Sequence, residues 1–385
     1  MMDAEAYMQP VDFDTLNPEL WRHNKYSLGF LLEKNAQKLP VEKAKLVIIG
    51  IGEDRNAVCS GSGAAPDLIR KELYRLNRVV PRLRIRDFGN IRLGNSATDT
   101  YFAVKDVCAE LREAGTVIVA LGGSQDLTVG LCRAFDNSPF SLVCIDPKPD
   151  FRKDDKKLNS ENYLNLVFRQ PNLVNQATLG CQNYFSDIVE LDALQKAADA
   201  EVCRLGFLRD HWRDIEPYMR EARIVSFDIN ALRLHDAPAQ DFASPNGLHG
   251  EEACGIARYA GLGDNVRIAG FFNLLPQNDV NGVSCKLMAQ TVWHFIEGFV
   301  NRKPEFPENN RQNIQEYIVD QNDIGLKLAF YNSLLTNRWW MKIYDAQNDV
   351  THAVACSESD YRQALQSDIP DRWLRYTRKL NRPQK

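Results

Sequence analysis

The chain lacks closely spaced cysteine pairs, long apolar runs and any large excess of one charge. Its 9 cysteines are scattered singly, and several lie inside apolar runs, which predicts buried, reduced thiols and no disulfide framework. No stretch reaches the roughly 18 apolar residues that a membrane-spanning helix needs. The acidic first residues have neither the basic nor the apolar region of a signal peptide. These absences predict a cytoplasmic protein without membrane insertion.

The charge of the chain is nearly balanced. The 47 basic and 51 acidic side chains give a net charge of −4, so nothing predicts a nucleic acid as a partner. The chain has 385 residues, 44% of them hydrophobic and 25% charged, which is typical of an ordinary globular protein. This length suffices for one large core, or for one core with a small appendage.

Short β-branched runs alternate with amphipathic helical windows from Lys45 onward. The intervals between most of these runs are long enough to hold a helix. The alternation predicts an α/β fold with a mostly parallel sheet and helices on both faces. The eight predicted strands are 46–51, 83–88, 116–121, 141–146, 174–180, 201–206, 223–229 and 266–272.

Two segments flank this α/β region, which we place at residues 41–302. Residues 1–40 carry Trp21 and several leucines at helical spacing, which predicts an N-terminal helical segment packed on something larger. Residues 303–385 begin as a proline-containing linker and continue as a tryptophan-rich C-terminal extension. Two strands of a hairpin and a helix capped by Ser357, with Asp360 in its first turn, predict a small α+β appendage. Its tryptophans form either its core or a binding surface.

Polar residues follow three of the predicted strands. GGSQD (122–126), DPKPDFR (146–152) and DINALRLHDAPA (228–239) each begin where a strand ends. Ligands of a parallel sheet bind beyond the carboxyl ends of its strands. The convergence of these three clusters therefore predicts an ancestral site at one edge of the sheet.

The same segments resemble the motifs of the ureohydrolases, the superfamily of arginase, agmatinase and formimidoylglutamase. LGGSQDLT resembles the family's GGDHS, IDPKPDFR its DAHxD, and SFDINALRLHDAPAQDFASPNGL its SFDxDxxDP segment. Upstream, GSGAAPDLIRKELYRL is similar to the family's GxxxGPxxIRxxL. The resemblance covers about residues 41–302 and implies the arginase-like fold, a three-layer sandwich around an eight-stranded, mostly parallel sheet.

For the site, the resemblance implies two Mn²⁺ ions held by four aspartates and two histidines, which activate a bridging hydroxide. The glutamate that orients the substrate in the family falls on Phe271, so we expect no catalytic residue and no manganese cofactor. Three aspartates remain at the metal-site positions and both histidines are replaced, which makes these positions vestigial. Carried over one by one, the metal-site positions are Gln125, Asp146, Lys148, Asp150, Asp228 and Asn230.

Lys148 is the most unusual replacement, because an ammonium group has no lone pair to donate to a metal. We hypothesise that this ammonium occupies about the place of a metal and pairs with Asp146, Asp150 and Asp228. A second possibility stays open. Oxygen ligands suit Mg²⁺ or Ca²⁺, so the three aspartates, with Asn230, form a possible weak cation site.

Three functional hypotheses follow. The first is a pseudoenzyme, a catalytically inactive ureohydrolase-like protein that acts as a binding or scaffold protein. Its terminal segments would serve a protein partner or self-association into an oligomer. The second is a sensor that retains a ligand pocket without turnover. The rival is a metal-dependent amidine or guanidine hydrolase, similar to formimidoylglutamase, with an atypical single-metal site.

Overall fold

The computed structural model describes residues 4–35, 44–81, 84–153, 157–198, 200–308, 311–321 and 325–381. The predicted boundary between residues 40 and 41 and the first residue of the predicted strand 83–88 lie outside them. In chain order, the strands are β1 (Met8–Gln9), β2 (Leu46–Ile51), β3 (Ile85–Ile91), β4 (Val117–Gly122), β5 (Phe140–Ile145), β6 (Leu173–Cys181), β7 (Glu201–Arg204), β8 (Ile224–Asp228), β9 (Ile268–Phe272), β10 (Ile314–Gln321), β11 (Leu326–Ser333), β12 (Trp339–Asp345) and β13 (Val350–Cys356). The α-helices are α1 (Leu28–Leu31), α2 (Ala65–Leu73), α3 (Ala97–Glu113), α4 (Thr128–Arg133), α5 (Leu164–Val167), α6 (Ile188–Ala198), α7 (Leu205–Asp210), α8 (Glu216–Glu221), α9 (Gly250–Leu262), α10 (Val283–Val300), α11 (Glu358–Leu365) and α12 (Asp371–Leu380).

The main sheet has nine strands in the order β1-β3-β2-β4-β9-β8-β5-β6-β7. All eight predicted strands are present and pair in parallel with one another, which confirms a mostly parallel sheet. The predicted number of strands was one too few. The ninth strand, β1, pairs antiparallel with β3 through Met8 and Ile91. A strand of two residues is too short to show the alternation by which strands are recognised in a sequence.

Helices cover both faces of this sheet because side chains along each central strand alternate between two cores. In β2, Leu46 and Ile48 face the core that α2, α9 and α10 close. Val47 and Ile49, on the opposite face, belong to the core under α3 and α4. The molecule is therefore the predicted three-layer sandwich.

The N-terminal segment packs on the first of these cores, but it is less regular than the sequence predicted. Trp21, Leu28 and Leu32 are buried there, and the ring of Trp21 meets Tyr74 edge-on at 5.7 Å. The helical structure of the segment consists of short 3₁₀ helices and the four-residue α1. Asn17 adopts a left-handed conformation (φ 52°) between two of the 3₁₀ helices, which a continuous helix excludes.

The C-terminal extension is an antiparallel sheet, β10-β11-β12-β13, covered by α11 and α12. The predicted hairpin corresponds to β12 and β13, and Ser357 and Asp360 form the predicted capping box of α11. We did not predict β10, β11 and α12. Trp339 lies in the core of the extension, where it stacks on Tyr361, so it is a core residue and not part of an exposed surface.

A buried guanidinium group attaches the extension to the α/β body. Arg220 of α8 donates hydrogen bonds to the carbonyl oxygens of Trp339 (3.0 Å) and Cys356 (3.1 Å), and it lies over the ring of Trp340 at 4.4 Å. Its neighbour Glu221 accepts a hydrogen bond from the backbone N–H of Ala355 at 2.8 Å. The extension is therefore docked through polar groups that are withdrawn from water on both sides.

All nine cysteines are free thiols, and all but Cys59 are buried. Among the described residues, no helix is both long enough and apolar enough to cross a membrane.

Candidate metal centre

The residues predicted for the site lie at the ends of four adjacent central strands. In sheet order these strands are β4, β9, β8 and β5. Gln125 follows β4, Asp146 follows β5, Asp228 ends β8 and Phe271 lies near the end of β9. Because the strands are parallel, their carboxyl ends meet at one edge of the sheet, as expected from the sequence.

Three of the predicted positions form one compact cluster. Asp146, Asp150 and Asp228 are buried, and each offers one carboxylate oxygen within 4.8 Å of the others. Asp146 accepts a hydrogen bond from the backbone N–H of Lys148 (3.1 Å), and Asp228 accepts one from the backbone N–H of Asn230 (2.8 Å). The second oxygen of Asp146 is buried without a hydrogen-bond partner among the described residues. A carboxylate oxygen in that situation is open to a cation or a proton.

Burial makes it costly for all three carboxyl groups to be ionised together. It raises the pKa of Asp146 to about 7, which hydrogen bonding from Lys148 only partly opposes. Burial also raises the pKa of Asp150 and of Asp228 well above the usual range, and in both cases the negative charge of Asp146 adds to the effect. The three carboxyl groups therefore carry more negative charge, when all are ionised, than their surroundings stabilise.

Lys148 does not pair with these aspartates as we hypothesised. Its ammonium group donates to Glu161 at 2.5 Å and lies 5.0 Å from the ring centroid of Phe242. Among the described residues, it forms no ion pair with the three aspartates. The reason is local: the backbone N–H of Lys148, and not its side chain, contacts Asp146, so the side chain extends away towards Glu161.

Asn230 is next to the cluster, but its carboxamide already has partners. Its Nδ2 donates to Asp241 (2.7 Å) and at longer range to Asp228 (3.3 Å), while its oxygen accepts from the backbone N–H of Phe242 (3.2 Å). These bonds orient the amide nitrogen towards the carboxylates. Asn230 thus supplies a hydrogen bond to the cluster.

Asn273 is a site residue that we missed. Its side-chain oxygen accepts the backbone N–H of Gln125 (2.9 Å), and its Nδ2 donates to Asp228 (2.9 Å). It therefore ties the end of β4 to the end of β8, with its backbone in a left-handed conformation (φ 63°) that asparagine tolerates. A signal was present, because Asn273 lies two residues after Phe271, on which the family's glutamate falls by the resemblance.

Gln125 and Phe271 are both fully withdrawn from solvent. Gln125 donates weakly to Ser226 (3.3 Å), and its side-chain oxygen has no hydrogen-bond partner among the described residues. Phe271 is 3% exposed and stacks on Phe227 with 6.0 Å between the ring centroids. An aromatic ring in this position neither accepts a proton nor orients a cationic substrate by charge.

The cleft beside Lys148 is nearly closed. Pro149, Phe151 and Phe185 line it, and its volume of about 10 Å³ is at the lower limit for a single water molecule. Two metal ions do not fit this donor set, because Gln125 and Lys148 stand at the positions predicted for the histidines. One cation fits, since three clustered carboxylates, one with an unpartnered oxygen, suit an oxygen-binding ion.

Glu161, Asp241 and Phe242 complete the surroundings of the cluster. Each contacts Lys148 or Asn230, and all three lie outside the named strands and helices. Sequence reasoning that looked only at strand ends had no means to find them.

Comparison with known proteins identifies solved structures with a similar fold. The fold is similar to that of a formiminoglutamase from Trypanosoma cruzi whose structure contains Mn²⁺, with a TM-score of 0.64 and 19% identity over 69% of this chain and 96% of that one. It is similar to formimidoylglutamase from Bacillus subtilis, with a TM-score of 0.65 and 16% identity over 73% and 94% of the two chains. It is also similar to agmatine ureohydrolase of Thermoplasma volcanium, with a TM-score of 0.56 and 20% identity over 72% of this chain and 94% of that one. No curated protein matches the sequence significantly.

At these identities the structural likeness establishes the fold. The sequence itself matches the family model described as Arginase family over residues 44–297. That match spans more than half of the 385 residues and contains every residue of the candidate metal centre. The chain therefore belongs to the arginase family.

Proposed function

We propose that this protein is a member of the arginase family that does not hydrolyse amidines or guanidines and acts as a binding or scaffold protein. The observation that carries the proposal is the pairing of Lys148 with Glu161 beside the aspartate cluster. A protonated amine at a predicted ligand position repels a second metal ion and offers it no lone pair. Without a second ion, the bridging hydroxide of the two-metal reaction does not form.

The environment of Lys148 keeps its amine protonated. Burial alone would lower the pKa of this amine, but the charges of Asp150, Glu161 and Asp146 and the hydrogen bond to Glu161 outweigh that effect and raise it. The ammonium therefore stays charged at neutral pH. A metal that competed for this position would have to displace both the proton and the partner carboxylate.

The other substitutions support the same conclusion. Phe271 stands where the resemblance places the glutamate that orients the substrate, and it is packed against Phe227. An amidine substrate would therefore not be oriented by a carboxylate at this motif position.

The terminal segments support a binding role. The C-terminal extension lies outside the part of the chain that matches the family, and it has its own core. It is docked on α8 through Arg220 and Glu221, so it forms a fixed surface and not a loose tail. We propose that this surface serves a partner protein or a second copy of the chain, in a cytoplasmic setting.

A second candidate is hydrolysis with a single cation. It is favoured by the cluster of Asp146, Asp150 and Asp228, which has the composition of an oxygen-ligand cation site. One divalent ion there would polarise a water molecule or a carbonyl oxygen. The phenylalanine at the motif position of the glutamate, Phe271, weighs against this candidate.

Hydrolysis assays with formimidoylglutamate, arginine and agmatine test the proposal. The protein is assayed with added Mn²⁺ beside its Asp228→Ala variant, with an active formimidoylglutamase as the positive control. We expect the wild type to release no more product than Asp228→Ala. Turnover by the wild type that Asp228→Ala abolishes would instead establish the single-cation hydrolase.

A further inference from the structure

A cleft lies between the α/β body and the C-terminal extension, away from the aspartate cluster. It has two connected parts of about 470 Å³ and 460 Å³, and Phe207, Tyr218 and Arg375 line both of them. Each part lies within the range of about 300–1,000 Å³ of small-molecule sites, which occur preferentially at domain interfaces. The cleft shares no residue with the metal centre.

Both bodies contribute walls to this cleft. The edge strand β7 and the helices α7 and α8 form one side, and α11 and α12 form the other. Val202 and Cys203 of β7, together with the half-exposed ring of Phe207, supply apolar surface. Because the extension closes the cleft, the site exists only in a chain that carries both parts.

Arg372 is the feature that points to a ligand. Its side chain is 8% exposed, and its guanidinium lies 4.3 Å from the ring of Tyr218. Among the residues that the structure describes, its only ion-pair contact is a long one, 3.9 Å to Asp360, which already accepts two hydrogen bonds from Ser357. Nη1 of Arg372 is buried without a hydrogen-bond partner among the described residues. An unpartnered guanidinium nitrogen is costly unless a ligand completes its hydrogen bonding.

Tyr218 offers a second donor. The residue lines both parts of the cleft, and its hydroxyl has no hydrogen-bond partner within the described part of the chain. Arg372 lies 4.3 Å from the ring of Tyr218, and both residues line the second part of the cleft, so the two donors border the same space. A carboxylate is the group that two such donors match best.

The charge of the walls limits the ligand further. Four arginines (Arg204, Arg362, Arg372 and Arg375) are balanced by four acids (Glu201, Asp214, Asp360 and Asp371). A cleft without net charge does not attract phosphates or nucleotides by its overall field. It suits a ligand with one negative group and an apolar body.

We infer that this cleft binds a small monocarboxylate with an aryl or alkyl body, with Arg372 and Tyr218 holding the carboxylate and Phe207 covering the apolar part. The inference does not depend on whether the aspartate cluster binds a cation. It assigns the C-terminal extension a role in completing a ligand site.

Calorimetric titration of the full chain with benzoate, phenylacetate and hexanoate tests the inference, with benzamide as the neutral isostere of benzoate. We expect saturable binding of at least one carboxylate with a Kd of about 1 mM or tighter, and weaker binding of benzamide. Tyr218→Phe should weaken binding about five-fold and Arg372→Gln at least about ten-fold. Arg258→Gln, which alters a solvent-exposed arginine outside the cleft, should leave binding unchanged.

The Tyr218→Phe variant keeps the test decisive if Arg372→Gln fails to fold, because it removes only a hydroxyl that has no internal partner. The inference is overturned if none of the three carboxylates binds saturably. It is also overturned if benzamide binds as well as benzoate, or if Tyr218→Phe binds the carboxylates as tightly as Arg258→Gln does.

Discussion

Two groups of buried carboxylates in the same sheet differ in what balances their charge. Asp87 of β3 accepts hydrogen bonds from Arg70 at 2.8 and 3.1 Å and from the hydroxyl of Tyr74. Arg70 is itself fully buried, and its remaining donors reach Asp67, Asn90 and the carbonyl of Gly89. Within the described ranges, the three aspartates of the candidate metal centre pair with no arginine, and the second oxygen of Asp146 has no hydrogen-bond partner.

The difference separates a structural ion pair from a site. A buried carboxylate with a complete set of donors holds elements together, as Asp87 holds β3 to α2. Carboxylates whose pKa is raised by burial mark a candidate site when, as in Asp146, a buried oxygen has no hydrogen-bond partner in the described part of the chain. Both groups arise from parallel strands, so the fold alone does not distinguish them.

The largest expected effect on stability comes from breaking the buried ion pair of Arg70 with Asp87. Arg70→Met leaves Asp87 buried without its cation, and we expect the free energy of unfolding to fall by about 3–5 kcal/mol. Urea denaturation measures it. Arg75→Met removes the exposed pair with Glu72 and should cost under about 0.5 kcal/mol. Equal losses in the two variants would show that Arg70 has no special role.

The aspartate cluster should respond to a divalent cation. With free Mn²⁺ or Mg²⁺ at 100 times its Kd, the free energy of unfolding should rise by about 2.7 kcal/mol, because the ion binds only the folded protein. Thermal unfolding with and without the ion measures the rise. In Asp146→Asn the rise should vanish, and a variant that keeps the full rise would place the ion elsewhere.

A smaller rise in the free energy of unfolding is expected for a variant of the cluster when chelator is present. Asp150→Asn removes one negative charge from the cluster, so it should raise the free energy of unfolding by about 1 kcal/mol at neutral pH. The exposed pair of Asp192 with Lys196 provides the control, Asp192→Asn, for which we expect almost no change. Destabilisation by Asp150→Asn in chelator would contradict the imbalance that we describe.

The smallest expected effect on stability concerns Glu53, a buried carboxylate that follows β2 and is paired with Arg55. Burial alone would raise the pKa of Glu53, but hydrogen bonds from Arg55 (2.8 Å) and Thr100 (2.7 Å) lower it below its ordinary value of 4.5. Because the pKa of Glu53 is lower in the folded state, its ionised carboxylate stabilises the fold at any pH above the ordinary pKa. This stabilisation is lost as the pH falls through the lowered pKa of the folded state. Glu53→Gln should therefore be less stable than wild type near pH 7, and the gap should narrow below about pH 4.5. A gap that does not change with pH would show that the charge of Glu53 contributes nothing.

Much of the fold was predictable because its signals are local. The β-branched runs identified the eight parallel strands, and the Ser357 capping box identified the start of α11. The two-residue β1 and the strands β10 and β11 were missed. In β10 the apolar Ile318 is exposed and the polar Gln321 is buried, so the sequence pattern does not match the burial. In β11 Leu328 and Phe330 are buried at alternate positions, which is a strand signal that we overlooked.

The site was predictable where it depends on strand ends and not where it depends on side-chain direction. The convergence of Asp146, Asp150 and Asp228 followed from the parallel sheet and is present. The direction of Lys148 depends on Glu161 and Phe242, which come from loops elsewhere in the chain. No pattern within the motif itself indicates which of several acids a lysine will choose.

The central claim is that the centre accommodates one cation at most and so lacks the two-metal chemistry of the family. Titration of the chelator-treated protein with Mn²⁺, with the bound ions counted by native mass spectrometry, tests it most directly. We predict no more than one ion per chain, lost in Asp228→Ala. Two Mn²⁺ ions per chain, both lost in Asp228→Ala, would contradict the account.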